Sequence, residues 1–164
     1  MRRALLLALA AAPMLTGATL PASTVQALTA CTLTHDEAVE VVNGLKVERT
    51  LDNSKGSQHF VTRVLERPAD LTVLDYVPDV LGASDIVNAD GERFFIMAIV
   101  TAPFAEVERR ALAANGVSEC YNRLDGEANC FVSRTRKDGW QVMLFLRQHD
   151  KQVTVNCQYT RAPD

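Results

Sequence analysis

The stretch that decides the fold runs from Asp138 to Tyr159 and reads DGWQVMLFLRQHDKQVTVNCQY. Its Asp-Gly start is typical of a two-residue hairpin turn, which would place Lys137 opposite Trp140. A second tight turn at His149-Asp150 would then bring the chain back alongside itself. Apolar and polar residues alternate after each turn, and this period of two is that of a β-strand. The stretch therefore predicts two neighbouring antiparallel strands near the end of the chain.

The two predicted turns agree on which side of these strands is buried. When both registers are applied, the apolar positions of the first strand and those of the second fall on one side. These positions are Trp140, Val142, Leu144, Leu146, Val153, Val155, Cys157 and Tyr159. We therefore expect a sheet with one buried face in the C-terminal part of the protein.

Two helices are predicted from the residues at their ends. Thr34 and Glu37 have the spacing of a capping box, in which each side chain satisfies the backbone N–H of the other residue, and they precede a helix over 35–43. Pro103 is suited to opening a second helix, and Asn115-Gly116 to closing it. The sequence thus predicts two short helices, one of which would cover a face of the sheet.

Strands account for most of the remaining residues. Residues 94–100 are apolar on both faces and predict a central strand. Residues 58–66 fit a helix or a strand, and Pro68 just beyond them favours the extended form. Pro78 is expected to end the strand before it. The strands predicted here cover 46–51, 58–66, 71–77, and a hairpin of 86–87 with 94–100. The predicted fold class is α+β: a mainly antiparallel sheet with two short helices, stapled by disulfides.

The beginning of the chain has the layout of a secretory signal. Two arginines precede an apolar run from Ala4 to Leu15, and Val25 and Ala27 form a small-residue pair suited to cleavage after Ala27. The apolar run is too short for a bilayer span, which needs roughly 20 residues. We expect a signal peptide over 1–27, a single α+β domain over 28–164, and export to the periplasm or the medium.

A lipid anchor is the alternative to soluble export. The residues before Cys31 read Leu-Thr-Ala, so that this segment resembles a bacterial lipobox, in which the cysteine is lipidated. A lipobox should follow its apolar core directly, whereas this core ends near Leu15. Lipidation of Cys31 would also leave three cysteines and therefore one unpaired thiol. We favour soluble export for these two reasons.

Four cysteines follow the predicted signal, an even number that suits pairing in an oxidising compartment. A hairpin loop at Leu124-Asp125-Gly126 would place Cys120 opposite Cys130, within disulfide reach. By exclusion, Cys31 then bonds Cys157 and ties the N-terminal part to the last strand. Because the sequence has no Cys-x-x-Cys motif, both bonds are expected to be structural.

Charge is distributed unevenly along the predicted domain. Residues 28–130 carry nine basic and seventeen acidic groups, whereas residues 131–164 carry six basic and three acidic groups. In the predicted register, a contact face on the C-terminal sheet mixes arginine with methionine and an aromatic ring, as interfaces do. Its members are Arg134, Arg136, Met143, Phe145 and Arg147. The alternative is that the second helix covers Met143 and Phe145, with solvated arginines around it.

The sequence contains no motif that predicts a catalytic, metal or cofactor site. The histidines at 35, 59 and 149 have no second metal ligand at suitable spacing, so no metal and no cofactor is expected. A small hydrolase would have to use His35, Asp36, His59 or His149. Without the two signal arginines the chain charge of −3 becomes −5, which together with export argues against nucleic acid.

These observations predict a binding protein more readily than an enzyme. Its partner would be another exported protein or an anionic small ligand, contacted through the C-terminal sheet. Suitable roles are an envelope assembly factor, an inhibitor or an immunity-type partner. The alternatives are a small secreted hydrolase and a small-ligand or lipid-binding domain, and no transmembrane span is expected.

Overall fold

The computed structural model describes residues 22–121, 128–136 and 138–162, with side chains from residue 26 onward. The elements are α1 (Ala22–Thr29), α2 (His35–Asn43), β1 (Val47–Asp52), β2 (His59–Leu65), β3 (Pro78–Asn88), β4 (Gly91–Thr101), α3 (Phe104–Asn115), β5 (Asn129–Thr135), β6 (Gln141–His149) and β7 (Gln152–Arg161). The strands form one seven-stranded sheet in the order β1-β2-β3-β4-β7-β6-β5, and every neighbouring pair is antiparallel. The predicted α+β class is confirmed, although three short helices are described instead of two.

A single hydrophobic core lies on one side of this sheet, beneath the helices. In β4, the even-numbered residues from Phe94 to Val100 are buried and the odd-numbered ones between them are half-buried. Leu28 of α1, Val42 of α2 and Val107 of α3 all belong to the same core cluster as these β4 residues. All three helices therefore cover the same side of the sheet. We call the other side, which the described helices leave uncovered, the open face.

The buried face predicted for β6 and β7 is confirmed. All eight apolar positions predicted for it are buried in the core cluster. The turn between the two strands lies one residue later than predicted, because His149 pairs with Gln152 and Asp150-Lys151 form the loop. This displaces the register by two residues. Side chains alternate with a period of two, so an even displacement leaves each residue on its predicted face.

The register between β5 and β6 differs from the predicted one by a single residue. Arg134 pairs with Val142 instead of Met143, and the Arg136 N–H donates to the Trp140 carbonyl at 2.9 Å. The loop thus holds three residues rather than two. An odd displacement moves side chains to the opposite face. The prediction that Arg134 and Arg136 share a face with Met143 is therefore wrong.

The helix predictions are confirmed at both sites. The Thr34 hydroxyl accepts the Glu37 N–H at 3.3 Å, and the Glu37 carboxylate accepts the Thr34 N–H at 2.8 Å, which completes the capping box. In α3, Pro103 precedes the first turn and Gly116 ends the helix in the left-handed conformation with φ of 65°. Helix α1 was not predicted and spans Ala27, where the sequence predicts signal cleavage; that boundary stays a prediction.

The strand predicted over 71–77 is wrong. Within this segment Val73 to Tyr76 form a tight turn, in which Val73 and Tyr76 exchange backbone hydrogen bonds of 2.7 and 3.0 Å. Leu74 and Asp75, between them, have positive φ angles of 51° and 68°. Pro78 begins β3 instead of ending a strand. The segment is apolar because Val73, Leu74 and neighbouring side chains are buried in the core without forming a ladder.

Both predicted disulfides are present. Cys31 bonds Cys157 across 126 positions of sequence, and Cys120 bonds Cys130 across 10. The loop Leu124-Asp125-Gly126, from which the second pairing was predicted, lies outside the described residues. The first bond joins the segment after α1 to the middle of β7, so it connects the N-terminal helices to the sheet.

Tyr159 is a fully buried phenol in this core. Its hydroxyl donates to the Leu33 carbonyl at 3.2 Å, and its ring packs beside Phe94 and His35. Burial in apolar surroundings disfavours the phenolate and raises the pKa of Tyr159 to about 12. The phenol is thus held neutral well above the pH at which an unfolded tyrosine ionises.

We expect the protein to lose stability between about pH 10 and pH 12 through this group. In that range the unfolded chain releases the Tyr159 proton while the folded chain keeps it, so alkali favours unfolding by about 2 kcal/mol. Urea unfolding of the Tyr159→Phe variant should show a smaller alkaline loss. At neutral pH the variant should be about 1 kcal/mol less stable, because the Leu33 carbonyl loses its donor. Tyr121→Phe, at a side chain that is 73% exposed, is the control and should resemble the parent.

Candidate binding face

The open face is unusually apolar for a sheet surface that no described helix covers. Antiparallel sheets with one solvated face normally place polar residues there. Here phenylalanine, methionine and isoleucine from five strands are half-buried among hydroxyl and amide side chains. The apolar members are Phe60, Ile86, Phe95, Met97, Ile99, Phe131, Met143 and Phe145, and the polar ones include Thr62, Ser84, Thr154, Asn156 and Gln158.

Three of the five predicted contact residues lie on the open face. Met143 and Phe145 alternate with the buried residues of β6, and Arg147 follows on the same side. The Phe145 ring stacks on Phe131 of β5 with 4.5 Å between centroids. Helix α3 packs on the other side of the sheet, so it does not cover Met143 or Phe145. The alternative in which that helix buries them is wrong.

The other two arginines lie on the side that carries the helices. Arg134 donates to the Cys31 carbonyl, and burial lowers the pKa of its guanidinium from the ordinary value. Arg136 lies 3.7 Å from Asp138. Arg134 therefore holds the segment after α1 against the sheet. The five predicted residues do not form one surface.

A groove of about 230 Å³ crosses the N-terminal half of the open face. Its position reflects Gly82, which has no side chain between Val64 and Met97 in neighbouring strands. The lining includes Phe60, Thr62, Ser84, Ile86, Phe95, Met97 and Asn156. Sequence reasoning missed this groove because it depends on the pairing of β2, β3, β4 and β7, of which only the β3–β4 hairpin was predicted.

Two buried polar atoms, one in a residue that lines the groove and one in a residue beside it, have no hydrogen-bond partner among the described residues. The Oδ1 atom of Asn156 is buried and accepts no hydrogen bond from the described residues. Arg93 faces Ile86 across the β3–β4 pair, and its buried Nε atom also has no acceptor. The nearest carboxylate oxygen paired with Arg93 belongs to Asp90, at 4.0 Å. Within the groove, the Thr62 and Ser84 hydroxyls satisfy each other at 2.9 Å.

Carboxylates are absent from the register-paired open-face positions of β2, β4, β6 and β7. These positions alternate with the core residues and carry only neutral or basic side chains, Arg93 and Arg147 among them. Asp79, at the bulge that begins β3, accepts from Thr101 at the far end of β4. On these four strands the open face therefore carries positive charge, in a chain whose total charge is negative.

The histidines are spread over the molecule. His35 stacks on Trp140, just before β6, with 3.7 Å between ring centroids. His149 ends the same strand. His59 begins β2, which is four strands and about 19 Å away across the sheet, and it lies at the opposite end of the strands from His149. Because the three side chains do not converge, the geometry does not favour the hydrolase alternative. Asp36 is exposed beside His35 and pairs with it at 3.0 Å.

One cluster among the described residues has the spacing of a metal site. The ligand atoms of Glu108, Cys120 and Cys130 lie within 4.8 Å of one another. Both sulfurs are joined in a disulfide, however, and metals bind the thiolate form of cysteine. The oxidised protein therefore offers a single carboxylate there.

The comparisons with known proteins add no functional information. No family model, curated protein or solved structure matches the chain. Within the part of the chain that the structure describes, no helix has both the length and the apolar character needed to span a membrane.

Proposed function

We propose that this is an exported binding protein and that the open face is its contact surface. The observation that carries the proposal is the row of phenylalanine and methionine side chains on a sheet face that no described helix covers. Contiguous apolar surface of this kind marks interaction sites in soluble proteins. The signal-like start and the two disulfides support export, because disulfides persist in oxidising compartments.

The composition of the face supports binding over a purely structural role. Aromatic residues, methionine and arginine are enriched in the centres of interfaces, whereas aspartate and glutamate are depleted there. Phe131, Phe145, Met143 and Arg147 combine these features over the neighbouring strands β5 and β6. The partner is another exported protein or an anionic small ligand.

Hydroxyl-radical footprinting tests the proposal, because it locates a contact surface whatever the partner is. Purified protein and the same protein in envelope extract or culture fluid are oxidised, and the rate at each side chain is measured by mass spectrometry. We expect Met143 and Phe145 to react several-fold more slowly in the fraction that contains the partner. Contact with the partner would exclude solvent from the Phe145 ring and the Met143 sulfur.

Tyr76 serves as the internal control. Its hydroxyl donates to Glu106 of α3 at 2.6 Å, on the side of the sheet that carries the helices, so its oxidation should not change. Unchanged rates at Met143, Phe145 and Met97 in every fraction would overturn the proposal. A general quenching of radicals by the extract would slow the oxidation of Tyr76 as well and would thereby be recognised.

A further inference from the structure

We infer that the groove on the open face binds a single-chain carboxylate of about ten carbons that carries a hydroxyl group near its far end. The inference rests on the proposed function and names the ligand for one half of the same surface. Its carboxylate would lie at Arg93, its chain over Phe95, and its hydroxyl at Asn156.

The small volume of the groove favours a slender chain. Pockets for drug-sized ligands enclose about 300–1,000 Å³, and this groove, at about 230 Å³, is smaller. Its walls are the side chains of Phe60, Ile86, Phe95 and Met97, which offer apolar surface and no charge. A single alkyl chain would bury apolar area along these walls, and each buried methylene would strengthen binding.

The charge around the groove selects an anion. Arg93 is the register partner of Ile86, which lines the groove, and its Nε atom has no acceptor among the described residues. Asp90, its paired carboxylate, is 4.0 Å away and largely exposed. Guanidinium groups bind carboxylates through two parallel hydrogen bonds. A ligand carboxylate would supply the acceptor that the Nε atom lacks.

The second unpartnered group sets the length of the ligand and the chemistry of its other end. Met97 follows Arg93 by four positions of β4, about 13 Å, and Asn156 is its register partner in β7. An extended chain of about ten carbons spans that distance. The Asn156 Oδ1 atom is an acceptor without a donor among the described residues. A hydroxyl at the end of the chain would satisfy it, which an unsubstituted fatty acid would not.

Isothermal titration with ω-hydroxydecanoate, below its micelle concentration, tests the inference. We expect saturable binding that weakens with added salt. Decanoate should bind less tightly, and decyltrimethylammonium, with the same chain and the opposite charge, should not bind. Binding of the cation as tightly as the hydroxy acid would overturn the inference, as would binding only to phosphatidylglycerol vesicles.

Single substitutions test which residue binds each end of the ligand. Arg93→Gln should weaken binding about tenfold or more, because a charge-assisted pair is lost, and Arg93→Lys should recover part of the loss. Asn156→Ala should remove the preference for ω-hydroxydecanoate over decanoate while decanoate itself still binds. Arg109→Gln, at an exposed position of α3 on the other side of the sheet, is the matched control and should bind like the parent. Unchanged affinity in Arg93→Gln would overturn the assignment.

Footprinting separates this inference from the proposed function. The bound amphiphile should protect Met97 and leave Met143 unprotected, since only Met97 lines the groove. If the titration fails while native fractions protect Met143 and Phe145, the open face still binds a partner and only the ligand inferred here is wrong. If neither experiment shows an effect, both the proposed function and the inference fail.

Discussion

Replacing Cys31 and Cys157 together by alanine should lower the free energy of unfolding by about 4–5 kcal/mol. The bond closes a loop across 126 positions, which removes more conformational freedom from the unfolded chain than any short loop could. Replacing Cys120 and Cys130 together should cost about 3 kcal/mol, because that loop spans only 10 positions. Urea unfolding of the two double variants and the parent, at equal protein concentration, measures the difference.

The position of the first bond adds to its expected effect. Both cysteines are buried, and Cys157 lies in β7 between the core residues Val155 and Tyr159. Without the bond, the segment after α1 is still held by Arg134, which donates to the Cys31 carbonyl, and by Asn115, which donates to the Ala30 carbonyl at 2.9 Å. We therefore expect a destabilised but folded protein.

Two outcomes would contradict this view of the disulfides. Equal losses in the two double variants would show that loop length does not determine their contributions. Digestion without reduction should also release one peptide pair joining Cys31 to Cys157 and another joining Cys120 to Cys130. Recovery of Cys130 linked to Cys157 would show that the pairing itself is wrong.

The buried face of the sheet could be predicted because it depends on local alternation. Trp140 to Leu146 and Val153 to Tyr159 each carry their own period of two, so the buried side follows from either strand alone. The predicted turn at His149-Asp150 was displaced by an even register shift, which does not change faces. The buried face was therefore predicted correctly although the turn lies one residue later than expected.

The contact face was predicted wrongly in part, because the register between β5 and β6 differs from the predicted one by a single residue. Whether Arg134 faces the helices or the open side depends on whether the loop before Trp140 holds two or three residues. An Asp-Gly pair is compatible with both, because a three-residue loop also needs a residue with positive φ, and Gly139 has φ of 83°. Met143, Phe145 and Arg147 lie in one strand and kept their common face.

The groove could not be predicted from any one segment of the sequence, because strands that are distant in sequence form it. Its walls come from β2, β3 and β4, and its unpartnered acceptor comes from β7, more than fifty residues later. The segment 71–77 has the apolar composition of a strand. Because it was predicted to be one, Pro78 was expected to end a strand instead of beginning β3. The depression between Phe60 and Phe95 arises because Gly82, which has no side chain, is the register partner of Met97.

Gly91→Ala should destabilise the protein by about 3–5 kcal/mol, the second largest effect that we expect. Gly91 has φ of 115°, in a region that side chains with a Cβ atom rarely adopt. An added Cβ would also overlap the carbonyl oxygen of Arg161 and approach the Ala162 Cα to 3.2 Å. Because these neighbours are backbone atoms, relief requires a shift of the end of β7 relative to β4.

Gly139→Ala is the matched control for this variant. Gly139 also has positive φ, 83°, but an added Cβ there would meet nothing within 4 Å. Its expected loss is about 1–2 kcal/mol, from backbone strain alone. Urea unfolding of both variants separates strain from overlap, and equal losses would show that the Arg161 contact does not constrain position 91.

The sequence predicts a turn over Asn88 to Glu92, for which a glycine is one suitable residue among several. The requirement for glycine comes instead from the pairing of Glu92 with Arg161, which brings the end of β7 against the first residue of β4.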